Sequence, residues 1–169
     1  MERGVKLLSI LRHAKSGWKD ASVEDHDRPL ARRGERDAPR MGRLMLDEDL
    51  VPDVILSSTA RRARDTAVQA AEASVFEGEI RLLRKLYLAG PAVFIEVLSE
   101  LPASVAHAMV VAHNPGLEEL LAALVREAYP LPTAALAVVA LPVEDWAGLR
   151  DGPVGELRRL WLPRELDRT

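Results

Sequence analysis

The amino-acid sequence predicts an α/β fold, a three-layer α/β/α sandwich around a mainly parallel central sheet. Short apolar runs of strand length alternate along the chain with longer stretches in which apolar residues recur at helical spacing. The apolar runs are mostly continuous, which is typical of strands covered by helices on both faces. No repeat or linker divides the 169 residues, so we expect a single domain over residues 1–169.

The strands are expected where runs are rich in Val, Leu and Ile. These runs cover residues 6–12, 53–57, 106–112, 134–141 and 156–162. Parallel strands need a long crossover connection, usually a helix, and the first four runs are separated by segments long enough for one. The last two runs lack a full helix between them, so one of these two strands is expected to run antiparallel.

The helices are expected at about residues 32–49, 60–74, 90–101 and 115–128. In the first, Pro39 predicts a kink or a helix that restarts near Ala38. The second is rich in alanine, and the hydroxyl side chains of residues 57–59 are available as caps. The fourth is expected to have Asn114 as its N-cap and Pro115 at its first helical position, because both residue types favour those places.

Composition excludes several classes of protein. A net charge of −3 gives no overall attraction to nucleic acid or anionic membranes. The absence of cysteine excludes disulfides, thiolate metal sites and cysteine nucleophiles. No apolar stretch approaches the roughly 20 residues of a membrane span. The run at residues 7–11 is too short for a signal-peptide core and ends at Arg12. We therefore expect a cytoplasmic protein without nucleic-acid or membrane partners.

Basic side chains follow three of the predicted strands. The first strand ends in Arg12-His13, and the third is followed by His113. The second runs into a segment that contains Arg61, Arg62 and Arg64. Because open α/β sheets hold ligands at the carboxyl ends of their strands, we expect these groups to meet. Histidines and arginines together at that edge predict a site for a phosphoryl group.

The chemistry of phosphoryl transfer suits these residue types. Arginine binds phosphate oxygens bidentately and stays charged. Histidine can act as a nucleophile, acid, base or hydrogen-bond donor, and nearby arginines favour its neutral, nucleophilic form. Adjacent side chains of a strand point to opposite faces, so Arg12 and His13 can reach one ligand only where the chain leaves extended geometry. Gly17 and the loop around it permit this departure.

Four segments resemble the motifs of one family and occur in that family's order. They are residues 11–16, residues 27–30 with Gly34, residues 57–67 and residues 111–116. Together they resemble the histidine phosphatase superfamily, in its phosphoglycerate-mutase-like branch. The sequences Arg-His-Ala-Lys-Ser, Asp-Arg-Pro-Leu and His-Asn-Pro-Gly are similar to those of the small SixA-like phosphohistidine phosphatases. The resemblance covers roughly residues 7–121 and implies a phosphoglycerate-mutase-like fold.

The resemblance also implies roles for individual residues. His13 would be the nucleophile that carries the phosphoryl group, Arg12 and Arg62 would clamp the phosphate, and His113 would donate to it. Arg62 matches the family's second arginine because it directly precedes Ala63 in the motif. We expect its neighbours Arg61 and Arg64 to be solvated or paired. The resemblance implies neither a metal nor a cofactor.

Several residues that follow His13 could also contribute to the site. Ser16 and Gly17 could supply a hydroxyl and a backbone N–H to the phosphate, or form a plain turn. Lys15 could attract an anionic substrate, although a solvated lysine is favoured. Trp18 could flank the substrate entrance. His26 is expected to be a surface histidine.

One departure from the larger superfamily favours a particular substrate. Its phosphomonoesterases and mutases use a carboxylic acid to protonate the leaving alkoxide, but the corresponding residues 83–88 contain no acid. General-acid catalysis contributes about 10²–10⁴-fold. Phosphohistidine needs less help, because imidazole has a pKa of about 6.5. The sequence therefore favours a P–N bond. The acids of the preceding loop could still substitute, namely Asp20, Glu24, Asp25 and Asp27.

The sequence predicts a phosphatase that hydrolyses protein phosphohistidine through a covalent intermediate on His13. Two alternatives are a small-molecule phosphomonoesterase, acting on a sugar or nucleotide phosphate, and a non-catalytic phosphate-binding module. The partner is a phosphorylated protein or a small phosphorylated molecule. Four arginines of the first helix could form a docking stripe for an acidic protein, although a solvated helix face is favoured; they are Arg32, Arg36, Arg40 and Arg43.

Overall fold

The computed structural model describes residues 4–17 and 20–166. One sheet contains β1 (Lys6–Arg12), β2 (Val54–Ser58), β3 (Glu79–Leu83), β4 (His107–Ala112), β5 (Leu136–Leu141) and β6 (Glu156–Trp161). Their order across the sheet is β3-β2-β4-β1-β5-β6. β1 to β4 run parallel, β5 is antiparallel to β1, and β6 is antiparallel to β5. The prediction of a mainly parallel sheet with one reversed strand is confirmed, and β5 is that strand among those described.

Helices cover both faces of the sheet. They are α1 (Arg32–Asp47), α2 (Arg61–Ala73), α3 (Pro91–Ser99), α4 (Gly116–Val125) and the short α5 (Pro163–Leu166). Alternate residues of β4 point to two separate cores. Val110 packs with Phe94 of α3 and Leu117 of α4, whereas Met109 packs with Met41 of α1 and apolar residues of α2. The two cores confirm the three-layer sandwich and explain why the central strands are apolar throughout. No helix among the described residues is long and apolar enough to cross a membrane.

The sequence analysis missed β3. This strand lies at the edge of the sheet and pairs with β2 alone. Its sequence, Glu-Ile-Arg-Leu-Leu, alternates charged with apolar residues, and its side chains are partly or fully exposed. A search for continuous apolar runs finds strands that are buried on both faces, so it does not detect an edge strand of this kind.

The structure corrects the predicted start of α4 and excludes one of the two alternatives for α1. α4 begins at Gly116 with Pro115 as its N-cap residue, so Asn114 is not the cap. The Asn114 side-chain amide donates instead to the carbonyl oxygen of Leu131, a contact with a distant loop that competes with capping. α1 is continuous from Arg32 to Asp47 with Pro39 inside it, and it does not restart near Ala38.

Candidate active site

The sheet order brings the carboxyl ends of β2, β4 and β1 side by side. A pocket of about 500 Å³ opens there, which we call the phosphate pocket. Its lining residues are Arg12, His13, Lys15, Ser16, Asp25, Arg28, Arg62, Leu88, His113, Asn114 and Thr133. The four residues predicted from the strand ends therefore meet in one place. The rings of His13 and His113 are 5.3 Å apart between centroids.

His13 lies just beyond the end of β1, where the chain leaves extended geometry. Its backbone N–H donates to Ala112 of β4, and the next residue, Ala14, donates its N–H to Thr66 Oγ1 of α2. The His13 side chain is 6% exposed, and its Nδ1 lies 2.8 Å from the carbonyl oxygen of Ala14. A carbonyl can only accept, so this contact places the proton on Nδ1 and leaves the lone pair on Nε2.

Both pocket histidines are neutral near pH 7. Burial lowers the pKa of His13 to about 4; the hydrogen bond to Ala14 opposes the shift, while the charges of nearby arginines add to it. Burial also lowers the pKa of His113 to about 3, and the charge of Arg62 lowers it further. A neutral imidazole with a free Nε2 lone pair is the nucleophilic form of histidine.

The two predicted arginines reach the pocket from opposite sides. Arg12, the last residue of β1, donates through Nη1 to the carbonyl oxygen of Leu131 at 3.0 Å. Arg62, in the first turn of α2, is 3% exposed. It donates through Nη1 to the backbone oxygen of Asp25 at 2.6 Å and through Nη2 to the carboxylate of Asp25 at 3.0 Å. These bonds hold both guanidiniums in place at the pocket.

Several buried polar atoms of the pocket have no hydrogen-bond partner among the described residues. They are Arg12 Nε, Arg62 Nε, His113 Nδ1 and Asn114 Oδ1. A buried polar group without a partner costs about 1–3 kcal/mol, so such groups are uncommon. Three of these atoms are nitrogens, and both arginine nitrogens are donors. An anion with several acceptor oxygens is the ligand that would satisfy the three nitrogens together, whereas Asn114 Oδ1 is an acceptor and needs a donor.

Ser58 orients His113. The serine hydroxyl oxygen lies 2.8 Å from His113 Nε2 and accepts the backbone N–H of Ala60 at 3.1 Å. With that acceptor role filled by Ala60, the hydroxyl proton can be donated to His113 Nε2. In this arrangement the neutral His113 carries its proton on Nδ1, the atom without a partner, and can donate it to a bound anion.

The structure adds two residues that the sequence analysis did not place in the site, Arg28 on the loop before α1 and Tyr87 after β3. It also brings in Asp25, one of the four acids offered as a substitute general acid. Asp25 accepts hydrogen bonds from Arg28 Nη2 at 2.9 Å, from Arg62 and from the Tyr87 hydroxyl. Arg28 also donates to Ser16 Oγ. Arg28 belongs to the Asp-Arg-Pro-Leu motif, which could have indicated its place in the site. Tyr87 belongs to residues 83–88, whose lack of a carboxylate was the only feature used in the prediction.

Asp25 is held in its ionised form. Burial would raise the pKa of its carboxyl group, but the hydrogen bonds from Tyr87, Arg28 and Arg62 and the charge of Arg62 outweigh burial and lower it well below its usual range. Of the four acids considered as substitutes, Asp25 alone lines the phosphate pocket as described. Asp20, Glu24 and Asp27 line a neighbouring cavity on the other side of this loop. The described pocket therefore contains no carboxyl group that is protonated near pH 7.

The structure gives a different outcome for each of the other residues predicted to follow His13 in this loop. Ser16 lines the pocket, but the Gly17 N–H donates to the carbonyl oxygen of Pro29, so the prediction that it faces the phosphate is wrong. The physical reason is the antiparallel pairing of Ser16 with Leu30, which turns the Gly17 amide toward the backbone of Pro29. Lys15 is exposed at the pocket wall. Trp18 lies outside the described residues.

His26 is not a simple surface histidine. Its side chain is 24% exposed, its Nε2 lies 2.8 Å from Thr59 Oγ1, and its ring meets Tyr87 edge-to-face at 4.9 Å. Arg61 and Arg64 are both paired with Asp65, as expected. No group of three or more side chains among the described residues could hold a metal ion.

A glycine brings α1 close to the loop that follows His13. The backbone N–H of Ala31 donates to the carbonyl oxygen of Lys15 at 2.8 Å, and Gly34 packs on the same carbonyl. A Cβ atom at Gly34 would overlap that oxygen, so this position requires glycine for the close approach. The packing fixes the turn that carries Ser16 into the pocket.

Known proteins share both the sequence pattern and the fold. The histidine phosphatase superfamily (branch 1) matches residues 8–86. An uncharacterized protein of Mycobacterium tuberculosis is 32% identical over 153 residues, which are 84% of this chain and 93% of that protein. An uncharacterized chloroplastic protein of Arabidopsis thaliana is 38% identical over 84 residues, 48% of this chain; the match spans 38% of that protein's length.

Solved structures of other proteins have the same fold. A provisionally named phosphohistidine phosphatase SixA from Nakamurella multipartitia has a TM-score of 0.79 and 29% identity, over 96% of this chain and 99% of that one. A mycobacterial glucosyl-3-phosphoglycerate phosphatase shares the fold, with a TM-score of 0.68 and 18% identity over 91% of this chain and 97% of that one.

Proposed function

Because this chain belongs to the histidine phosphatase superfamily and is SixA-like in structure, we propose that it hydrolyses the P–N bond of phosphohistidine in proteins through a covalent intermediate on His13. The observation that carries the proposal is the state of His13. Its Nδ1 is bonded to Ala14, its pKa is lowered to about 4, and it shares one pocket with the buried guanidinium of Arg62. A histidine in that state is a nucleophile beside an anion site.

In the first step, His13 Nε2 attacks the phosphorus atom. The new N–P bond forms as the P–N bond of the substrate breaks, and the electron pair of the broken bond returns to the substrate imidazole. A substrate ring that already bears a proton on its other nitrogen leaves as neutral imidazole. Arg12, Arg62 and His113 offer donors to the phosphoryl oxygens, where negative charge is spread in the transition state.

The phosphorylated His13 ring carries a positive charge, with its proton on Nδ1. The carbonyl oxygen of Ala14 accepts that proton in a hydrogen bond and stabilises the charge. In the second step, water attacks phosphorus, the Nε2–P bond breaks, and its electron pair returns to Nε2. Inorganic phosphate leaves, the water's proton passes to solvent, and neutral His13 is restored.

The single carboxylate of the described pocket supports the choice of a P–N bond. Asp25 is ionised and so cannot protonate a leaving alkoxide. The pKa of Tyr87 is raised by burial and by its hydrogen bond to Asp25, so its proton stays on the phenol and is directed to that carboxylate. An imidazole that arrives protonated needs neither group, whereas an alcohol ester loses the roughly 10²–10⁴-fold help of a general acid.

The test compares phosphoramidate and a phosphohistidine peptide with a panel of phosphate monoesters, using wild type and His13→Ala. We expect wild type to prefer the P–N substrates and His13→Ala to lose turnover by more than about 10³-fold. Radiolabelled phosphate trapped on the wild-type protein should be labile to acid and stable to base, as a phosphohistidine is.

Three results would contradict the proposal. A preference for monoesters would favour the small-molecule phosphatase, and activity that survives in His13→Ala would overturn the covalent mechanism. Binding of phosphate without turnover of either substrate class would favour the binding module.

A further inference from the structure

A second cavity, of about 330 Å³, adjoins the phosphate pocket and carries positive charge. We call it the arginine cleft and define it by Arg33 and Arg36 of α1 and Arg164 of α5. Thr133 lines both the cleft and the phosphate pocket, so one begins where the other ends. The cleft therefore lies beside the mouth through which a substrate reaches His13.

A third cavity, of about 430 Å³, joins the same two sites by a second route. It shares Arg12 and Asn114 with the phosphate pocket, and Leu162 and Arg164 with the arginine cleft. The three cavities surround the loop at residues 130–133. A ligand anchored at His13 that extends over this loop therefore reaches Arg164 by way of adjoining cavities.

Two of the three arginines that define the cleft have no ion-pair partner among the described residues. Arg33 and Arg164 are exposed and form no hydrogen bond or ion pair with any described residue. The one acid that lines the cleft, Asp37, is buried and lies within ion-pair distance of Arg36 at 3.8 Å and Arg40 at 3.4 Å. The whole chain has a net charge of −3, so this concentration of arginine is local.

Helix stability does not account for Arg33. It lies in the first turn of α1, where the helix dipole favours acidic side chains and disfavours cations. α1 also lacks a side-chain cap at its N-terminus. An unpaired arginine in this place is electrostatically unfavourable for the helix, and its charge is available to a ligand in the cleft.

We propose that the arginine cleft binds aspartate or glutamate side chains that flank the phosphohistidine of the protein substrate. This rests on the proposed function and names a feature of its substrate: an acidic segment. The phosphoryl group occupies the phosphate pocket, and the polypeptide on one side of the phosphohistidine passes Thr133 and reaches Arg33 and Arg164. Because the cleft and the phosphate pocket share Thr133, the carboxylates are those of residues close in sequence to the phosphohistidine.

The experiment uses two phosphohistidine peptides that differ only in the flanking residues, glutamate in one and glutamine in the other. The glutamine peptide keeps the size and loses the charge. We expect the kcat/KM of wild type to favour the glutamate peptide by about three- to tenfold, a range set by two exposed ion pairs. The preference should weaken as salt concentration rises.

The double variant Arg33→Ala/Arg164→Ala should lose this preference. Arg43→Ala is the matched control, because Arg43 is exposed on the same helix but does not line the cleft, and it should keep the preference. Equal kcat/KM for the two peptides in wild type would overturn the proposal, as would a preference that persists in the double variant.

Turnover of phosphoramidate distinguishes failure of the proposed function from failure of the proposal for the arginine cleft. Phosphoramidate has no flanking carboxylates, so its turnover by wild type tests P–N hydrolysis alone. If wild type hydrolyses no P–N substrate, fluorescence anisotropy with the unphosphorylated peptides decides the question of the cleft. Tighter binding of the glutamate peptide that is lost in Arg33→Ala/Arg164→Ala supports the cleft, and equal binding of both peptides contradicts it.

Discussion

Arg62 Nη2 lies 3.0 Å from the Asp25 carboxylate, and this contact joins the first turn of α2 to the loop before α1 across the phosphate pocket. The same guanidinium donates through Nη1 to the Asp25 backbone oxygen. Two of its three nitrogens are therefore engaged by one residue, and Nε is left for a ligand. We infer that Asp25 is a positioning residue, which orients Arg62 rather than touching the substrate.

We predict that Asp25→Asn lowers kcat and at the same time tightens the binding of inorganic phosphate. The amide removes the negative charge beside the phosphate, so inorganic phosphate should bind more tightly as a competitive inhibitor. The orientation of Arg62 is weakened at the same time, and kcat should fall on the order of ten- to a hundredfold. Steady-state kinetics with phosphoramidate measure both effects. Asp27→Asn is the control, because Asp27 lies in the same short segment but outside the pocket. A fall in kcat of equal size in both variants would rule out a positioning role.

Ser58→Ala should impair His113 without removing it. Loss of the hydroxyl frees His113 Nε2, so its proton is no longer held on Nδ1, and we expect kcat to fall about tenfold with little change in KM. Ser57→Ala serves as the control, since Ser57 is equally buried but donates to the Ser58 carbonyl oxygen. Melting temperatures of both variants separate this effect from unfolding. Unchanged kcat in Ser58→Ala would show that the contact does not orient the ring.

Activity should persist at unusually low pH. The pKa of His13 is lowered to about 4, so the nucleophile stays neutral over a range in which an ordinary histidine would be protonated. We expect kcat/KM to be nearly constant from about pH 8 to pH 5 as far as His13 is concerned, and to fall tenfold per unit below about pH 4. Initial rates across this range, corrected for uncatalysed hydrolysis, provide the measurement. A fall in kcat/KM with decreasing pH that has its midpoint near pH 6.5 would contradict the buried, neutral His13.

Stability should depend on pH through a histidine outside the site. His107 lies at the start of β4, with Nε2 2.7 Å from Ser9 Oγ, and burial lowers its pKa to about 4. Because the unfolded chain binds a proton near pH 6.5 and the folded chain does not, the free energy of unfolding should decrease as pH falls from about 6.5 to 4. His107→Gln should reduce this decrease while leaving the pH profile of kcat/KM unchanged. Urea denaturation at several pH values measures it; an identical pH dependence in the variant would refute the assignment.

Sequence patterns sufficed for the parts of the fold whose environment is uniform. β2 and β4 are buried on both faces, so each contains a continuous apolar run, residues 54–56 and 108–112, that could be found by inspection. β3 was missed because an edge strand has one face and one side open to solvent. Asn114 was misassigned because its residue type suits a helix cap, while a loop distant in sequence provides a competing acceptor at Leu131.

The sequence by itself was enough to predict which side chains meet at the candidate site. Arg12, His13, Arg62 and His113 lie at or just beyond strand ends, and in a parallel sheet strand ends share one edge, so local pattern was enough to bring them together. Only the tertiary structure decided how those groups are oriented and charged. Asp25 and Tyr87 are 62 positions apart in sequence and have no local signal for their contact. Their hydrogen bonds and the burial of His13 depend on packing between distant segments, which sets the ionisation of Asp25 and the neutral state of the nucleophile.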